Sequence, residues 1–370
     1  MPNIGDNERK TQNRVIKFFK ERLHYTYLGD LSDVDNANIK RERLYAYLTE
    51  KAHYSDVVAN KAIDELEKVS KDMSQELYTA NFKVYELLKY GAKIAEYAGA
   101  PKQTVYFVDF EDISRNDFAV AEEVTVNGDH VKRPDVVIYV NGIALAVIEL
   151  KRSTVSVSEG IRQNLTNQKA HFIRPFFTTI QYCMAGNDSE GLRYGTILTP
   201  EKYYLEWKQD GFTANMDEVD EHDLKITDVC KTLENTLDAQ IYAMFNKNRF
   251  LDLIHNFIIF DKGRKKVCRY NQYYGIKRAQ HRIAKNANGI IWHTQGSGKS
   301  LTMVWLSKWL LANNPDNRVL IVTDREELDD QIGIQSEKFQ QKSEKMQIED
   351  LEKRNIKEIE KVHVEVSPDD

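Results

Sequence analysis

The sequence contains few cysteines and no long apolar run, and each absence excludes a class of protein. The three cysteines, Cys183, Cys230 and Cys268, lie far apart among 370 residues and form no Cys-x-x-Cys pair. A zinc ribbon or a dithiol redox site is therefore not expected, and the low cysteine content fits a reducing cytoplasm. The longest apolar runs, such as IALAVI, are much shorter than the roughly 20 residues that cross a bilayer.

The amino terminus and the charge balance place only broad limits on the protein. The stretch MPNIGDNERK is polar, and no apolar core of a signal peptide follows it. We therefore expect a cytoplasmic protein without membrane contact. The formal net charge of −5 is mild, and it neither favours nor excludes nucleic acid because local patches decide that. A chain of 370 residues, 41% of them hydrophobic, can bury two cores.

Hydrophobic spacing predicts a helical first part followed by strands. Residues 11–100 mostly follow the helical period, as in QNRVIKFFKERL, SDVVANKAIDELEKVS and NFKVYELLKYGAKIAEYAG. Residues 104–150 contain the β-rich runs TVYFVDF, FAVAEEVTV, DVVIYV and IALAVIEL, with turn signals between them. A helix is expected after Lys151, and a strand-like run, PFFTTIQYCMAG, lies near 175–186. These elements predict one α/β unit.

A second α/β unit is predicted after a mixed stretch at 200–260. GIIWHT has the pattern of a short buried strand, GKSLTMVWLSKWLLANN that of a helix, and RVLIVTD that of the next strand. A strand, a helix and a strand in this order predict a βαβ unit with a parallel sheet.

The stretch RPDVVIYVNGIALAVIELK contains the first group of chemically active residues. Asp135 begins one strand, and Glu149 and Lys151 end the next. Residues two apart in a strand share a face, so Glu149 and Lys151 point the same way. Two carboxylates that lie close together can bind a hard divalent cation. A lysine beside them can polarise a phosphate or position an attacking water. The alternative is an ordinary hairpin whose end carries solvated charges.

The turn between these strands raises a question of register. A regular two-residue turn at 141–142 pairs Val140 with Ile143 and would place Asp135 opposite Ile148, facing away from Glu149. An offset of one residue would place Asp135 opposite Glu149. We therefore predict either a three-residue loop or a β-bulge, and bulges are common beside active sites.

The pattern Pro134-Asp135, then Glu149 fourteen positions after Asp135, then Lys151 two positions later, resembles the PD-(D/E)xK nucleases. The following SVSEGIRQNLTNQKAHFIRPFFTTIQYCMAGNDSEGLRYG resembles one branch, the restriction (R) subunit of type I restriction–modification enzymes. The resemblance implies a Mg²⁺ ion held by Asp135 and Glu149, with Lys151 assisting hydrolysis of double-stranded DNA.

That branch also carries a Gln-x-x-x-Tyr element in the helix after the lysine. Gln168 occupies the first position of this element, and the resemblance makes it a further candidate catalytic residue. The fourth residue on is Phe172, so the aromatic ring is kept and the hydroxyl is lost.

The segment HTQGSGKS, residues 293–300, has the pattern of a phosphate-binding loop. Glycines let the backbone curl around a phosphate, with its N–H groups pointing inward at a helix N-terminus. Lys299 would reach the β and γ phosphates of ATP, and the Ser300 hydroxyl would bind Mg²⁺. His293 stands where the general form of the motif has glycine. The candidate nucleotide-binding residues of this loop are Thr294, Gly296, Ser297, Gly298, Lys299 and Ser300.

The flanks of this loop resemble helicase-like motors of superfamily two. RVLIVTDREELDDQI is similar to their motif Ia and, more closely, to a run in type I R subunits. CRYNQYYGIKRAQHRI resembles the element that recognises adenine, which implies that Gln272 reads the base edge while Tyr270 or Tyr273 packs against it. The alternative is a plain amphipathic basic helix. Residues 262–285 contain nine Lys or Arg and no Asp or Glu, which favours contact with nucleotide phosphates or the DNA backbone.

A motor of this kind also needs an acidic motif on a later strand and a second RecA-like lobe. We find no Asp-Glu-x-[His/Asp] motif in residues 301–370, and the resemblance covers roughly 10–332. We therefore expect the N-terminal part of an R subunit that binds ATP but lacks turnover. The predicted fold class is α/β, in four segments: a PD-(D/E)xK nuclease domain with N-terminal helices (1–205), a connecting helical segment (206–260), the start of a RecA-like ATP-binding domain (261–332) and a charged tail outside the family (333–370).

The resemblance implies methylation (M) and specificity (S) subunits as partners. With them, the enzyme would move unmodified foreign DNA using ATP and cut it with Mg²⁺. An alternative from another class is a non-catalytic remnant that binds nucleotide or DNA, or docks on the M–S complex without cutting.

Overall fold

The computed structural model describes residues 8–209, 221–313 and 317–320. The chain divides into two compact units. Unit 1 comprises 1–210 and 225–267, and unit 2 comprises 211–224 and 268–370. Within the described residues, no helix is both long and apolar enough to cross a membrane.

The division into units differs from the segments expected from the sequence. We expected a separate connecting segment at 206–260, but residues 225–267 pack as part of unit 1. Two helices of this stretch, Thr236–Phe245 and Lys247–Asn256, supply buried apolar side chains such as Ile241, Phe245 and Phe250. Burial of these side chains favours folding together with the sheet of unit 1.

The regular elements are numbered in chain order. The helices of the described residues are α1 (Glu8–Glu21), α2 (Arg41–Ala46), α3 (Asp56–Lys71), α4 (Leu77–Tyr90), α5 (Val157–Asn167), α6 (Glu221–Lys231), α7 (Thr236–Phe245), α8 (Lys247–Asn256), α9 (Tyr270–Ala284) and α10 (Lys299–Asn313). The strands of the same residues are β1 (Thr26–Asp30), β2 (Ala92–Ala95), β3 (Lys102–Val105), β4 (Phe118–Glu122), β5 (Val136–Val140), β6 (Ile143–Leu150), β7 (Tyr182–Asn187), β8 (Gly191–Gly195), β9 (Leu205–Glu206), β10 (Ile258–Asp261) and β11 (Arg264–Val267).

Unit 1 is built on a mixed seven-stranded sheet in the order β1-β4-β5-β6-β7-β8-β9. The pairs β1–β4 and β6–β7 are parallel, and the other neighbours are antiparallel. Every residue of the central strands β5 and β6 is buried. Apart from Glu149, the residues of these two strands are apolar or aromatic, as is typical of strands covered on both faces of a sheet.

The expected α/β character of the first part is confirmed, with corrections at three places. The helix expected over NFKVYELLKYGAKIAEYAG ends at Tyr90, and Ala92–Ala95 is a strand paired with β3. Gly91 ends the helix with φ +74°, and a Cβ there would lie 2.7 Å from the Val105 carbonyl oxygen. A side chain at this point would therefore prevent the β2–β3 hairpin from closing.

The other two corrections concern strand-like runs. TVYFVDF is a strand only to Val105. In PFFTTIQYCMAG, residues Arg174–Thr178 form a 3₁₀-helix, and the strand begins at Tyr182. Pro175 lies in the first turn of that 3₁₀-helix, where its missing N–H costs no hydrogen bond. Strand β1 lies in the part of the chain expected to be mostly helical.

Unit 2 confirms the predicted helix after the glycine-rich loop but not the strand before it. Helix α10 begins at Lys299. In GIIWHT, residues 291–294 have no regular structure, and Ile290 and Trp292 are 68% and 81% exposed. Ile290 makes a single β-bridge, and no strand is formed over GIIWHT in the described part of the chain, so the expected buried strand is wrong there. Most of RVLIVTD lies outside the described residues.

Candidate functional site

A β-bulge brings Asp135 and Glu149 together. The turn between β5 and β6 has two residues, Asn141 and Gly142, with φ of +51° and +79°. Tyr139 pairs with Ala144, but the preceding Ile138 pairs with Ala146.

Leu145 is therefore the extra residue of the bulge, and it shifts the register by one. Val136 pairs with Ile148, so the next position outward places Asp135 opposite Glu149. The predicted bulge is confirmed, and the alternative of a three-residue loop is wrong.

The two carboxyl groups lie at a buried end of the hairpin. Glu149 is fully buried and Asp135 is 9% exposed. The Asp135 Oδ2 atom accepts a hydrogen bond of 2.6 Å from the Leu150 backbone N–H. The Glu149 Oε1 atom accepts one of 3.4 Å from the Asn167 side-chain amide. Each of the two buried carboxyl groups therefore accepts only one of these hydrogen bonds.

Burial dominates the electrostatics of this pair. It raises the pKa of Asp135 to about 6, although Lys151 and the Leu150 N–H favour the charged form. Burial, followed by the negative charge of Asp135, raises the pKa of Glu149 well above its ordinary value. Burial of the carboxylate is the largest cause of both shifts, and for Glu149 the neighbouring negative charge of Asp135 adds to it. A bound cation would lower the free-energy cost of these buried negative charges.

Lys151 joins the pair from the end of β6. Its side chain is 12% exposed, and its Nζ lies 3.2 Å from Glu8 Oε1 of helix α1. Burial acts to lower the pKa of Lys151, but the charges of Asp135, Glu149 and Glu8 outweigh it and raise the pKa. Lys151 therefore remains a cation, and no motif or spacing had predicted Glu8 beside it.

Helix α5 covers the Glu149 side of the sheet at close range. A Cβ on Gly160 would lie 3.0 Å from the Ala185 Cβ and 3.4 Å from the Glu149 Cβ. Glycine at this position lets the helix approach β6 and β7 closely. The approach places Asn167, which sequence reasoning missed, against Glu149.

Gln168 makes its hydrogen bonds elsewhere. Its Oε1 accepts from the Leu198 N–H at 2.6 Å, and its Nε2 donates to the Asn164 carbonyl at 3.1 Å. The Gln168 side chain thus links the backbone at Leu198 to the backbone at Asn164. The side chain that contacts the Glu149 carboxylate is Asn167, not Gln168. Phe172 packs further away, with Lys132 Nζ 4.7 Å from its ring centroid.

The oxygen atoms of this site suit a hard cation. Glu149 Oε2 is buried and has no hydrogen-bond partner in the described part of the chain. A buried carboxylate oxygen of this kind is a normal ligand for Mg²⁺, which is usually bound by one or two carboxylates together with water and substrate phosphate. No group of three or more His, Cys, Asp or Glu side chains forms a metal site among the described residues, and the assignment of Asp135 and Glu149 as metal ligands stays a prediction.

The glycine-rich loop of unit 2 has the backbone conformation that its sequence requires. Gly296 and Gly298 have φ of +74° and +90°, a region that favours glycine. The Ser297 N–H donates to the Thr294 carbonyl at 3.2 Å, and α10 begins directly after the loop at Lys299. Ser300 lies in the first turn of that helix. The predicted nucleotide-binding residues therefore form one loop and helix N-terminus.

Gln272 lies against this loop. Its Nε2 donates to the Gly298 carbonyl at 2.9 Å, and its Oε1 accepts from the Arg269 N–H at 2.8 Å. A Cβ at Gly298 would lie 2.4 Å from Gln272 Nε2. The amide thus joins the start of α9 to the loop, and the adenine-reading role stays a prediction. The His293 ring packs over Gly275, and burial, then the charge of Lys299, lowers the His293 pKa.

Two protein families match these two regions. The type I restriction enzyme R protein N terminus matches residues 6–202, which is more than half of the chain. The chain belongs to this family. A second family, the SWI2/SNF2 ATPases, matches residues 271–366. The second match includes most of the segment that we expect to be a charged tail, and the segment boundaries stay predictions.

The curated relatives of this chain have names that describe them as endonuclease subunits. The "Putative type I restriction enzyme MjaIXP endonuclease subunit" of Methanocaldococcus jannaschii is 28% identical over 354 residues, covering 81% of this chain and 33% of the relative. The type I restriction enzyme HindI endonuclease subunit of Haemophilus influenzae is 28% identical over 298 residues, covering 73% and 26%. The chain thus spans a third or less of the length of these relatives.

Proposed function

We propose that unit 1 is the Mg²⁺-dependent DNA endonuclease domain of a type I restriction R subunit, with a PD-(D/E)xK fold. One observation carries the proposal: the bulge at Leu145 turns an ordinary hairpin into one whose carboxylates, Asp135 and Glu149, converge. Lys151 follows on the same strand face and is held charged. The family match and the names of the relatives support the same assignment.

The residues of the site divide the chemistry between them. Asp135 and Glu149 would hold Mg²⁺, which supplies a positive charge for the phosphorane-like transition state of phosphodiester hydrolysis. The Lys151 ammonium would orient the scissile phosphate or the attacking water. Asn167 holds one oxygen of Glu149, which leaves the other oxygen for the cation. Burial of these groups strengthens each electrostatic contact.

Unit 2 is proposed as the nucleotide-binding part of an ATP-dependent DNA translocase with a RecA-like fold. The loop of 293–300 would cradle the phosphates of ATP, with Lys299 and Ser300 on the terminal phosphates and Mg²⁺. The SWI2/SNF2 match supports this role. Double-stranded DNA and the M and S subunits would be the partners, as the endonuclease-subunit relatives suggest.

Cleavage of supercoiled plasmid tests the nuclease assignment. The chain, assembled with M and S partners and supplied with Mg²⁺ and ATP, is compared with Glu149→Ala. Removing a metal ligand should reduce the cleavage rate about 10³-fold or more. Glu159→Ala is the control, because Glu159 is an exposed residue of the same helix that covers Glu149. Equal cutting by the wild type and Glu149→Ala would refute the assignment.

The non-catalytic remnant predicts a different result in the same assay. Neither the wild type nor any variant would cut, while the chain would still join the M–S complex or retain bound ATP. The two functions are therefore separated by one experiment with an assembly control.

A further inference from the structure

Helix α1 contacts the candidate nuclease site through a side chain of its first turn. The Lys151 Nζ atom donates a hydrogen bond of 3.2 Å to Glu8 Oε1, and among the described residues this is its only hydrogen bond. The Lys151 side chain is mostly buried, whereas that of Glu8 is partly exposed. The two residues lie 143 positions apart, so the contact depends on how α1 packs against the sheet.

A second side chain of α1 holds the helix at this end of the sheet. Gln12 is buried, and its Nε2 donates to Glu122 Oε2 at 3.1 Å and to Glu123 Oε1 at 2.9 Å. The same atom lies 3.4 Å from the carbonyl oxygen of Asp135. Glu8 and Gln12 are four residues apart and therefore share one face of α1. The contacts of Gln12 thus help to set the distance between Glu8 and the site.

Three carboxylates attract the Lys151 ammonium, namely those of Asp135, Glu149 and Glu8. In the proposed function Asp135 and Glu149 hold Mg²⁺, and the charge of that ion weakens their attraction for a neighbouring cation. Glu8 is the carboxylate of this group that the proposed function does not assign to the metal. It is therefore available to hold the ammonium while the metal is bound.

We propose that Glu8 is a positioning residue of the nuclease site, which holds the Lys151 ammonium in place through an ion pair from helix α1. The pair restricts where the ammonium can lie, so that it can orient the scissile phosphate or the attacking water. A partly exposed ion pair adds little to stability, so its main effect is expected on cleavage rather than on folding. The inference rests on the proposed nuclease function.

A double-mutant cycle in plasmid cleavage tests whether Glu8 acts through Lys151. Glu8→Gln, Lys151→Met and the double variant are each assembled with M and S partners, Mg²⁺ and ATP. Glu8→Gln should cut about tenfold more slowly or worse, because a misplacement of about 1 Å can cost about 100-fold in rate. In the Lys151→Met background the same change should have no further effect, since residues that act as a unit are not additive. The matched control, Glu21→Gln at an exposed position of the same helix, should cut like the wild type.

A second cycle measures the ion pair without using activity. The same variants of the full chain are unfolded by denaturant, and the transition of unit 1 is followed. Glu8→Gln and Lys151→Met should be coupled by about two- to fivefold in the unfolding equilibrium. Glu21→Gln and Lys151→Met should show no coupling, because Glu21 pairs with Lys17 instead.

The outcomes separate this inference from the nuclease assignment. Absence of coupling in unfolding overturns the ion pair, even if Lys151→Met abolishes cleavage. Coupling in unfolding together with wild-type cleavage by Glu8→Gln overturns the positioning role and leaves a structural contact. An equal loss of rate from Glu8→Gln in both backgrounds also overturns it, because Glu8 would then act without Lys151. If Glu149→Ala cuts like the wild type, the nuclease assignment and the positioning role both fail, while the unfolding cycle still decides whether Glu8 pairs with Lys151.

Discussion

The two candidate sites are made of different parts of the chain. In unit 1 the site consists of buried side chains at the end of a hairpin, and their charges shift one another's pKa values. In unit 2 the site is a backbone loop, formed by two glycines with positive φ before a helix. A side-chain site depends on sheet register, whereas a backbone site depends on local conformation. A change in either unit should therefore leave the other site intact.

Lys151→Met should have the largest effect, and it should be confined to unit 1. Methionine keeps much of the apolar stem but removes the charge beside the two carboxylates, so cleavage by the assembled enzyme should fall about 10²- to 10³-fold. ATP binding by the chain, measured by calorimetry, should not change. Lys17→Met, at an exposed site of α1, is the control. A parallel loss of ATP binding would contradict the independence of the two sites.

Lys299→Met is the reciprocal change in unit 2. Removing one charge from the phosphate loop should weaken ATP binding roughly 10- to 100-fold, as expected for a lost hydrogen bond to a charged group. Mn²⁺ binding by the carboxylate pair should remain as in the wild type. Lys285→Met, at an exposed residue after α9, is the matched control. Unchanged ATP affinity in Lys299→Met would show that the loop does not bind phosphate.

The β-bulge of unit 1 and the glycine-rich loop of unit 2 could both be predicted from the sequence. The bulge followed from a conflict between a two-residue turn and the need for Asp135 to face Glu149, and the structure has that bulge at Leu145. The loop of unit 2 followed from glycine spacing. Both features are local, so short-range rules are sufficient for them.

Features that depend on distant parts of the chain were not predicted. Glu8 reaches Lys151 across more than 140 residues. The assignment of Gln168 followed a spacing pattern, but the helix geometry turned Asn167 toward the carboxylate. The strand expected in GIIWHT was inferred from its apolar composition, and a short apolar run alone does not determine whether a strand forms.

Gly160→Val tests the dependence of the unit 1 site on packing, because it adds a side chain between α5 and the sheet without changing a charge. The added side chain would meet Ala185 and Glu149 at the helix–sheet contact, so unit 1 should lose about 1–3 kcal/mol of stability. Glu159→Val introduces the same residue at the exposed neighbouring position and controls for helix propensity. Thermal unfolding measures both variants. An equal loss in the two variants would mean that the close approach of α5 to β6 is not required.

The pH dependence of Mg²⁺ stabilisation is the smallest expected effect, and it belongs to unit 1. The pKa of Asp135 is raised to about 6, above the value of about 3.9 for an unfolded aspartate. The folded state therefore binds the proton more tightly than the unfolded state does. Without metal, this group reduces stability as the pH rises from about 4 to about 6, and the full loss is present above that window.

Mg²⁺ should offset this loss because it neutralises the same carboxylates and competes with the proton. The melting temperature of unit 1 should rise by a few degrees with Mg²⁺ at about pH 7.5 and by less at about pH 5. Asp135→Asn should remove most of the difference, whereas Asp228→Asn, at a side chain 73% exposed, should retain it. The same Mg²⁺ shift at both pH values would show that protons and Mg²⁺ do not compete for Asp135. The cation would then bind at a place other than Asp135. Unit 1 would in that case have no carboxylate site to compare with the backbone loop of unit 2.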